Sequence, residues 1–414
     1  MTTKIIFGVV FITSINFVFG FFDIENRLFH NSLKKSVNPD VYLTTPQIIG
    51  RHGYPAEAYT VPTEDGFLLT VHRIPYTKYS KDKKPGQPVF LQHGLLGASS
   101  DWVLAGNNSL AFILSDAGYD VWLGNARGNT YSRAHIRYTP KDKEFWDFSW
   151  HEMAIFDLPG ALSFIGNYTN QTGEIIYVGH SMGTTMFFAY SSTHAKAPDT
   201  VKMMVALAPV AFMSDVRSPI KYLAPWANDI EWLAQYLGLN EFLPNSKIVR
   251  YLAEIGCDKT VAEMNLCEDI IFLFCGFDKA EFNKDILLAV LSHEPAGTST
   301  KTVVHYAQEI KSGGRFCEFD YGSTENMRRY GTKIPPSYNV TNIAVPVYLM
   351  SSVNDWLAGP GDVYRLSQIL PDKIGDYIIP MKQFNHIDFI FGKDAPQLVY
   401  KPLLKIIGHY GINM

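Results

Sequence analysis

The chain predicts an α/β fold: a mostly parallel sheet with helices on both faces, interrupted by one mostly helical insertion. Three observations carry this. Short β-favouring runs alternate with helix-compatible stretches in the first half of the chain, the pattern of strands joined by crossover helices. That alternation stops near residue 212 and resumes at Val345, so the intervening residues lie outside the sheet. Finally, residues 175–188 read IIYVGHSMGTTMFF: a strand enters Gly179-His180-Ser181-Met182-Gly183 and a helix leaves it. A serine on so sharp a turn needs glycine on either side, because side chains there would clash. The turn then presents Ser181 Oγ to solvent.

Composition narrows the function. Of 414 residues, 47% are apolar, enough for a sizeable core, and a formal charge of −4 offers no basic field for nucleic acid. Lys4 precedes an apolar run, residues 5–19, and Val18 and Gly20 are small enough for a cleavage site; residues 1–20 read as a secretory signal peptide. The run is short for a membrane span of about 20 residues, so no transmembrane anchor is expected. Four N-x-S/T sequons, at Asn107, Asn167, Asn170 and Asn339, suit the secretory route as glycosylation acceptors. Four cysteines, Cys257, Cys267, Cys275 and Cys317, allow three connectivities, and spacing does not choose among them. They form no C-x-x-C pair, so no metal site is expected.

In order, residues 59–62 and 67–74 predict a hairpin around Glu64-Asp65-Gly66. Residues 88–92 form a buried strand ending in His93-Gly94-Leu95-Leu96-Gly97. A helix over 108–118 leads to a strand over 119–123 and the loop 124–130, and a helix over 150–166 leads to the serine strand. After the serine helix comes a strand over 201–207. Residues 345–350 resume the sheet and end in a loop carrying Asp355; Asp362 reads as the cap of a helix over 362–370. A strand over 377–381 leads to Gln383-Phe384-Asn385-His386, and a helix over 396–407 closes the chain. The expected division is a leader over 1–20, a core over 21–211 and 338–414, and a cap with lid over 212–337.

A serine hydroxyl needs a base, and the base needs an orienting carboxylate. In an α/β-hydrolase sheet the order is Ser, acid, His, each in a loop beyond a strand's carboxyl end. Among the downstream histidines, His293 and His305 fall in the insertion, and His409 is expected beyond the last helix. His386 alone follows a strand in a short loop. Asp355 is the acid by the same test, with Asp362 its rival. The oxyanion is assigned to the backbone N–H groups of Leu95 and Met182. His93 and His180 read as packing residues of those two turns.

At these motifs the chain resembles the acid lipase family. The likeness extends to Thr63-Glu64-Asp65-Gly66, Leu91-Gln92-His93-Gly94-Leu95-Leu96, Asn108-Ser109-Leu110-Ala111-Phe112, the stretch GYDVWLGNARG over 118–128, Pro295-Ala296-Gly297-Thr298-Ser299 and Asn385-His386-Ile387-Asp388-Phe389. It covers about residues 40–405. The resemblance puts Ser181, Asp355 and His386 on the triad and Leu95 and Met182 on the oxyanion hole. It implies a cap with a movable lid, and it points to a disulfide between Cys257 and Cys267. The family usually has glutamine after the serine, where this chain has Met182; the amide is unaffected, and a side chain able to contact the lid is altered.

The expectation is therefore a secreted or lysosomal lipase that cleaves carboxylic esters of water-insoluble lipids through an acyl-enzyme, at a lipid–water interface, with no cofactor. Triacylglycerols are the first substrate class and cholesteryl esters the second. The competing readings are a soluble carboxylesterase, against which the large apolar cap argues, and a non-catalytic lipid binder, against which an intact triad argues. Trp226, Trp232, Tyr236, Leu237 and Phe242 lie at near-helical spacing in the cap, as an apolar face would.

Overall fold

The computed structural model describes residues 38–222, 224–227, 229, 237–245, 269 and 271–412. The leader expected at 1–20, the cysteine pair Cys257 and Cys267, and the cap aromatics Trp232 and Tyr236 lie outside the described residues. From Pro39 onward the chain forms one compact unit.

The strands are β1 (Glu57–Pro62), β2 (Phe67–Ile74), β3 (Pro88–Gln92), β4 (Asp120–Leu123), β5 (Ala134–His135), β6 (Ile175–His180), β7 (Val201–Leu207), β8 (Glu241–Phe242), β9 (Thr298–Ser299), β10 (Val347–Ser351) and β11 (Lys373–Ile378). The helices used below are α1 (Thr45–Arg51), α2 (Leu110–Asp116), α3 (Leu158–Thr169), α4 (Met182–Thr193), α5 (Lys284–His293), α6 (Thr300–Lys311), α7 (Ser323–Tyr330), α8 (Pro360–Ile369) and α9 (Lys401–Ile412).

The main sheet runs β1-β2-β4-β3-β6-β7-β10-β11, with β5 paired to β2. β1, β2 and β5 are antiparallel to their neighbours, and from β4 through β11 every pairing is parallel. Both faces are covered, which is why the central strands read as continuous apolar runs without alternation. Every residue of β3 (PVFLQ) and β6 (IIYVGH) is buried. The expected hairpin forms between β1 and β2. Its turn is closed by the Thr63 amide donating to Phe67 O at 2.8 Å, and Gly66 supplies a φ of +103°.

Several boundaries differ from expectation for local reasons. The helix expected over 150–166 runs to Thr169 but contains a π-turn at Met153–Asp157. Pro159 follows at once; it has no N–H to give, so it is tolerated only where the regular α ladder is already interrupted. The strand expected over 377–381 is β11, four residues earlier. His409 lies inside the terminal helix α9, not beyond it. Asp362 is not the cap of α8: Gly359 holds that position. The Asp362 carboxylate instead accepts from the Asp215 amide at 2.6 Å and from the Ser214 hydroxyl, tying down the chain that enters the insertion.

Between β7 and β10 the described residues add no strand to the main sheet. They form α5, α6 and α7, and a two-stranded ribbon of β8 and β9. Trp226 and Leu237 are exposed there and Phe242 is partly buried.

Candidate active site

Ser181 joins β6 to α4 in a backbone conformation, φ 52° and ψ −116°, that L-residues rarely adopt and that costs about 1–3 kcal/mol. Its surroundings impose it. The Ser181 amide donates to Leu207 O at 3.1 Å, and the Ser181 carbonyl accepts from the Thr184 amide at 2.8 Å and the Thr184 hydroxyl at 2.6 Å. Thr184 Oγ1 also accepts from the Val210 amide at 2.8 Å, so one threonine ties the serine turn to the end of β7. The two glycines are required as expected. A Cβ on Gly179 would lie 2.8 Å from the Gly183 carbonyl carbon, and one on Gly183 would lie 2.4 Å from Gln92 O.

Ser181, Asp355 and His386 meet at the carboxyl ends of β6, β10 and β11. His386 Nε2 lies 2.8 Å from Ser181 Oγ, and His386 Nδ1 lies 2.9 and 2.8 Å from the two oxygens of Asp355. Facing a carboxylate, Nδ1 carries the hydrogen, which leaves Nε2 bare toward the serine hydroxyl. Asp355 is fully buried, and its Oδ1 also accepts from the amides of Leu357 (2.9 Å) and Ala358 (2.7 Å). A buried carboxylate with that many donors has a fixed orientation.

Leu95 lies in the turn after β3, and Met182 follows the serine as the first residue of α4. The amide of neither donates to another group among the described residues. Leu95 sits in a turn closed by the Gly97 amide donating to Gly94 O at 3.2 Å, with Leu96 at φ +63°. A Cβ on Gly94 would stand 3.2 Å from Ser181 Cβ, so the turn approaches the serine closely. The turn is held from three directions. His93 Nδ1 donates to Gly94 O at 2.8 Å while its Nε2 accepts from the Ala126 amide at 3.0 Å. Asn129 Nδ2 donates to Gly97 O at 3.3 Å, and the Ala296 amide, from the insertion, donates to Leu96 O at 2.6 Å. Beneath Ala126, the buried Arg127 is paired with Asp157 at 2.7 Å and Asp65 at 2.5 Å, which anchors the loop that aims His93.

His180 donates from Nε2 to the His386 carbonyl at 2.9 Å. Burial, and secondarily the neighbouring His386, push its pKa down to about 3, so it is a neutral donor that holds the histidine loop. Asn385 braces the same loop: its Oδ1 accepts from the amides of Ile387 (3.0 Å) and Asp388 (3.2 Å), and its amide donates to Asp388 Oδ2 at 2.7 Å. His180 is thus a packing residue of the turn, as expected, whereas the tie made by Thr184, one residue beyond the motif, had no signal in the sequence.

The remaining expected residues stand apart from the serine. His293 contacts the Asp40 carbonyl, and His305 is buried between Ser149 and the Cys317 carbonyl, stacked on Trp150 at 3.9 Å. Asn107, Asn167, Asn170 and Asn339 are all exposed. Among the described residues, Cys275 and Cys317 are free thiols, no cluster of side chains is arranged to hold a metal ion, and no helix is long and apolar enough to cross a membrane.

Comparison with known proteins agrees with this architecture. A family model described as "alpha/beta hydrolase fold" matches residues 87–392, and one described as "Partial alpha/beta-hydrolase lipase region" matches residues 45–106. The chain is 43% identical to human gastric triacylglycerol lipase over 378 residues, 89% of this chain and 92% of that one. It is 39% identical to human lysosomal acid lipase/cholesteryl ester hydrolase over 378 residues, 91% of this chain and 93% of that one. A solved structure of a soluble variant of monoglyceride lipase from Saccharomyces cerevisiae shares the fold, with TM-score 0.53 at 14% identity over 91% of this chain and 99% of that one.

Proposed function

The chain belongs to the acid lipase family of α/β-hydrolases, and we propose that its substrates are long-chain esters of water-insoluble lipids, triacylglycerols first and cholesteryl esters second. It is an ester hydrolase of the lipase type. The observation that carries the mechanism is the unbroken contact from Ser181 Oγ to His386 Nε2 and from His386 Nδ1 to Asp355.

Ser181 attacks the ester carbonyl while His386 Nε2 takes its proton. Asp355 holds the imidazole in the reactive tautomer and stabilises the imidazolium that forms. The carbonyl oxygen gains negative charge and is received by the amides of Leu95 and Met182, donors of a kind typically worth about 3 kcal/mol each. The imidazolium returns the proton to the departing alcohol, leaving an acyl-serine. Water, deprotonated by His386, then releases the fatty acid and restores the serine. His180 and the turn around Leu95 stay fixed throughout, so no reorganisation accompanies the charge.

The leader, the exposed sequons and the named relatives support a route through the secretory pathway, to the cell exterior or the lysosome, with glycans at Asn107, Asn167, Asn170 and Asn339 and a disulfide between Cys257 and Cys267. The residues between β7 and β10 act as a cap whose apolar side chains, Trp226 and Leu237 among them, meet the lipid surface.

Ser181→Ala tests the reading. The purified, folded variant should hydrolyse neither a triolein emulsion nor a short soluble ester across pH 4–8, and near-normal turnover of either removes Ser181 as nucleophile. In the native enzyme, turnover of the short ester without the emulsion would make it a soluble carboxylesterase.

A further inference from the structure

Three consecutive backbone carbonyls of the insertion accept hydrogen bonds from the two loops that carry Asp355 and His386. The Cys275 carbonyl accepts from the His386 amide and from the Trp356 amide, both at 3.3 Å. Gly276 O accepts from Asn385 Nδ2 at 2.9 Å. Phe277 O accepts from Asn354 Nδ2 at 3.0 Å, and Asn354 Nδ2 also reaches Gln383 O at 2.5 Å. The residues immediately before and after Asp355, and those immediately around His386, are thus tied to one short strand of chain that belongs to neither loop. The ring of Phe277 adds an edge-on contact to Trp356 at 5.5 Å.

The strap fits too closely to be incidental. Gly276 has φ +112°, and a Cβ there would lie 2.2 Å from the Asn354 carbonyl oxygen and 3.2 Å from both Asn385 Cβ and Trp356 Cδ1. The contact at Asn354 is with backbone and cannot be relieved by a side-chain rotation. The Gly276 amide donates to Phe272 O at 2.8 Å, which turns the strap back into the insertion.

We propose that residues 275–277 are a positioning strap that fixes the Asp355 loop against the His386 loop, so that the insertion governs the chemical step as well as access. The proposal rests on the triad assignment above. The acid and the base come from different strands, β10 and β11, and the strap spans the gap between their loops. With the strap displaced, the Asp355–His386 contact loses its lateral support while the nucleophile turn, held by Thr184 and Leu207, stays in place. These residues touch no reacting atom, and their effect passes through Asp355 and His386.

Gly276→Ala is the test, measured on the full chain with a short soluble ester so that lipid-surface binding does not enter. Competent sites are first counted by titration with an organophosphonate, and kcat is expressed per titrated site. The expected result is a fall in kcat of roughly 30-fold with KM within about threefold, as a displacement near 1 Å can cost two orders of magnitude. Gly313→Ala is the control. It places the same left-handed strain in the insertion, φ +80°, with nothing within 4 Å of the new Cβ, and kcat should be unchanged. A Gly276→Ala enzyme that is folded and turns over within twofold of the native rate overturns the strap. If Gly276→Ala does not fold, Asn354→Ala, which cuts the tie to Phe277 O together with the one to Gln383 O, should lower kcat roughly tenfold at constant KM; an unchanged kcat there overturns it equally. Full activity in Ser181→Ala would instead overturn the triad on which the proposal rests.

Discussion

At the scale of single residues, Asp355 and Asp362 show how two carboxylates seven positions apart take different work. Asp355 Oδ1 is occupied by the amides of Leu357 and Ala358, so an asparagine there would keep its oxygen toward those donors and turn its NH₂ toward His386. An NH₂ facing Nδ1 selects the wrong tautomer. Asp355→Asn should therefore lose about 10⁴ in kcat with little change in folding. Asp362 accepts from Ser214 and Asp215, and Asp362→Asn should leave kcat alone and cost about 1 kcal/mol of stability, read by urea denaturation. A mild Asp355→Asn beside a severe Asp362→Asn would exchange the two assignments.

At the scale of elements, the loop between β4 and the π-turned helix is the support of the turn around Leu95. Arg127 is fully buried, donates to Asp157 and Asp65, and lies 4.1 Å above the Phe67 ring; the preceding amide, Ala126, is the donor to His93. Arg127→Met should cost about 3–5 kcal/mol, because Asp157 is left as an unpaired buried charge. Denaturant midpoints measure this, and a change under 1 kcal/mol would show that the carboxylates relax into solvent. Strands and helices that carry their own period were legible: β3, β6, β7 and α4 fall where the apolar runs and glycines put them. The positions of Ser181, Asp355 and His386 beyond the ends of β6, β10 and β11 were legible in the same way. The strap at 275–277 and the Ala296 amide were not legible as supports. They act through backbone groups, which no side-chain pattern marks, and across about 80 to 200 residues of sequence. The Pro295–Ser299 stretch did show as a resemblance, without a reason for it. Asp362 and His409 were misplaced because helix ends are set by which neighbours satisfy the terminal groups, and those neighbours are distant in sequence.

At the scale of the whole molecule, burial sets two opposed pH dependences. His72 is pushed down to about 4 and His180 to about 3, and His93 and His305 are also lowered, all chiefly by burial. Unfolding lets these histidines bind protons below their usual 6.5, so their contribution to stability is lost as pH falls below that value. Asp388 is pushed up to about 8 by burial, with Asp278, Glu281 and Asp355 adding to it, and burial also raises Glu294 and Glu309. Folded, they hold protons that the unfolded chain releases above about pH 4, so stability is lost as pH rises. The two slopes offset each other between about pH 4.5 and 6.5. Above 6.5 only the carboxyl slope remains. Tm should therefore decline from pH 6.5 to 8, and the decline should be shallower in Asp388→Asn, whose side-chain oxygen can still accept from the Asn385 amide. Equal declines in the two proteins would remove Asp388 as a contributor.

The strand order has a further consequence, in the timing of synthesis. The serine turn and the groups that hold it are complete in sequence by Val210, but β10, β11 and the loop bearing His386 follow only after the whole insertion. N-terminal parts of a chain emerge and begin to fold first. A nascent or prematurely terminated chain that extends past Val210 but ends before residue 386 therefore has every group that shapes the serine turn and lacks His386, the base proposed above. With His386 as the proposed base, such a chain cannot hydrolyse an ester until that loop has been made and has folded against the serine.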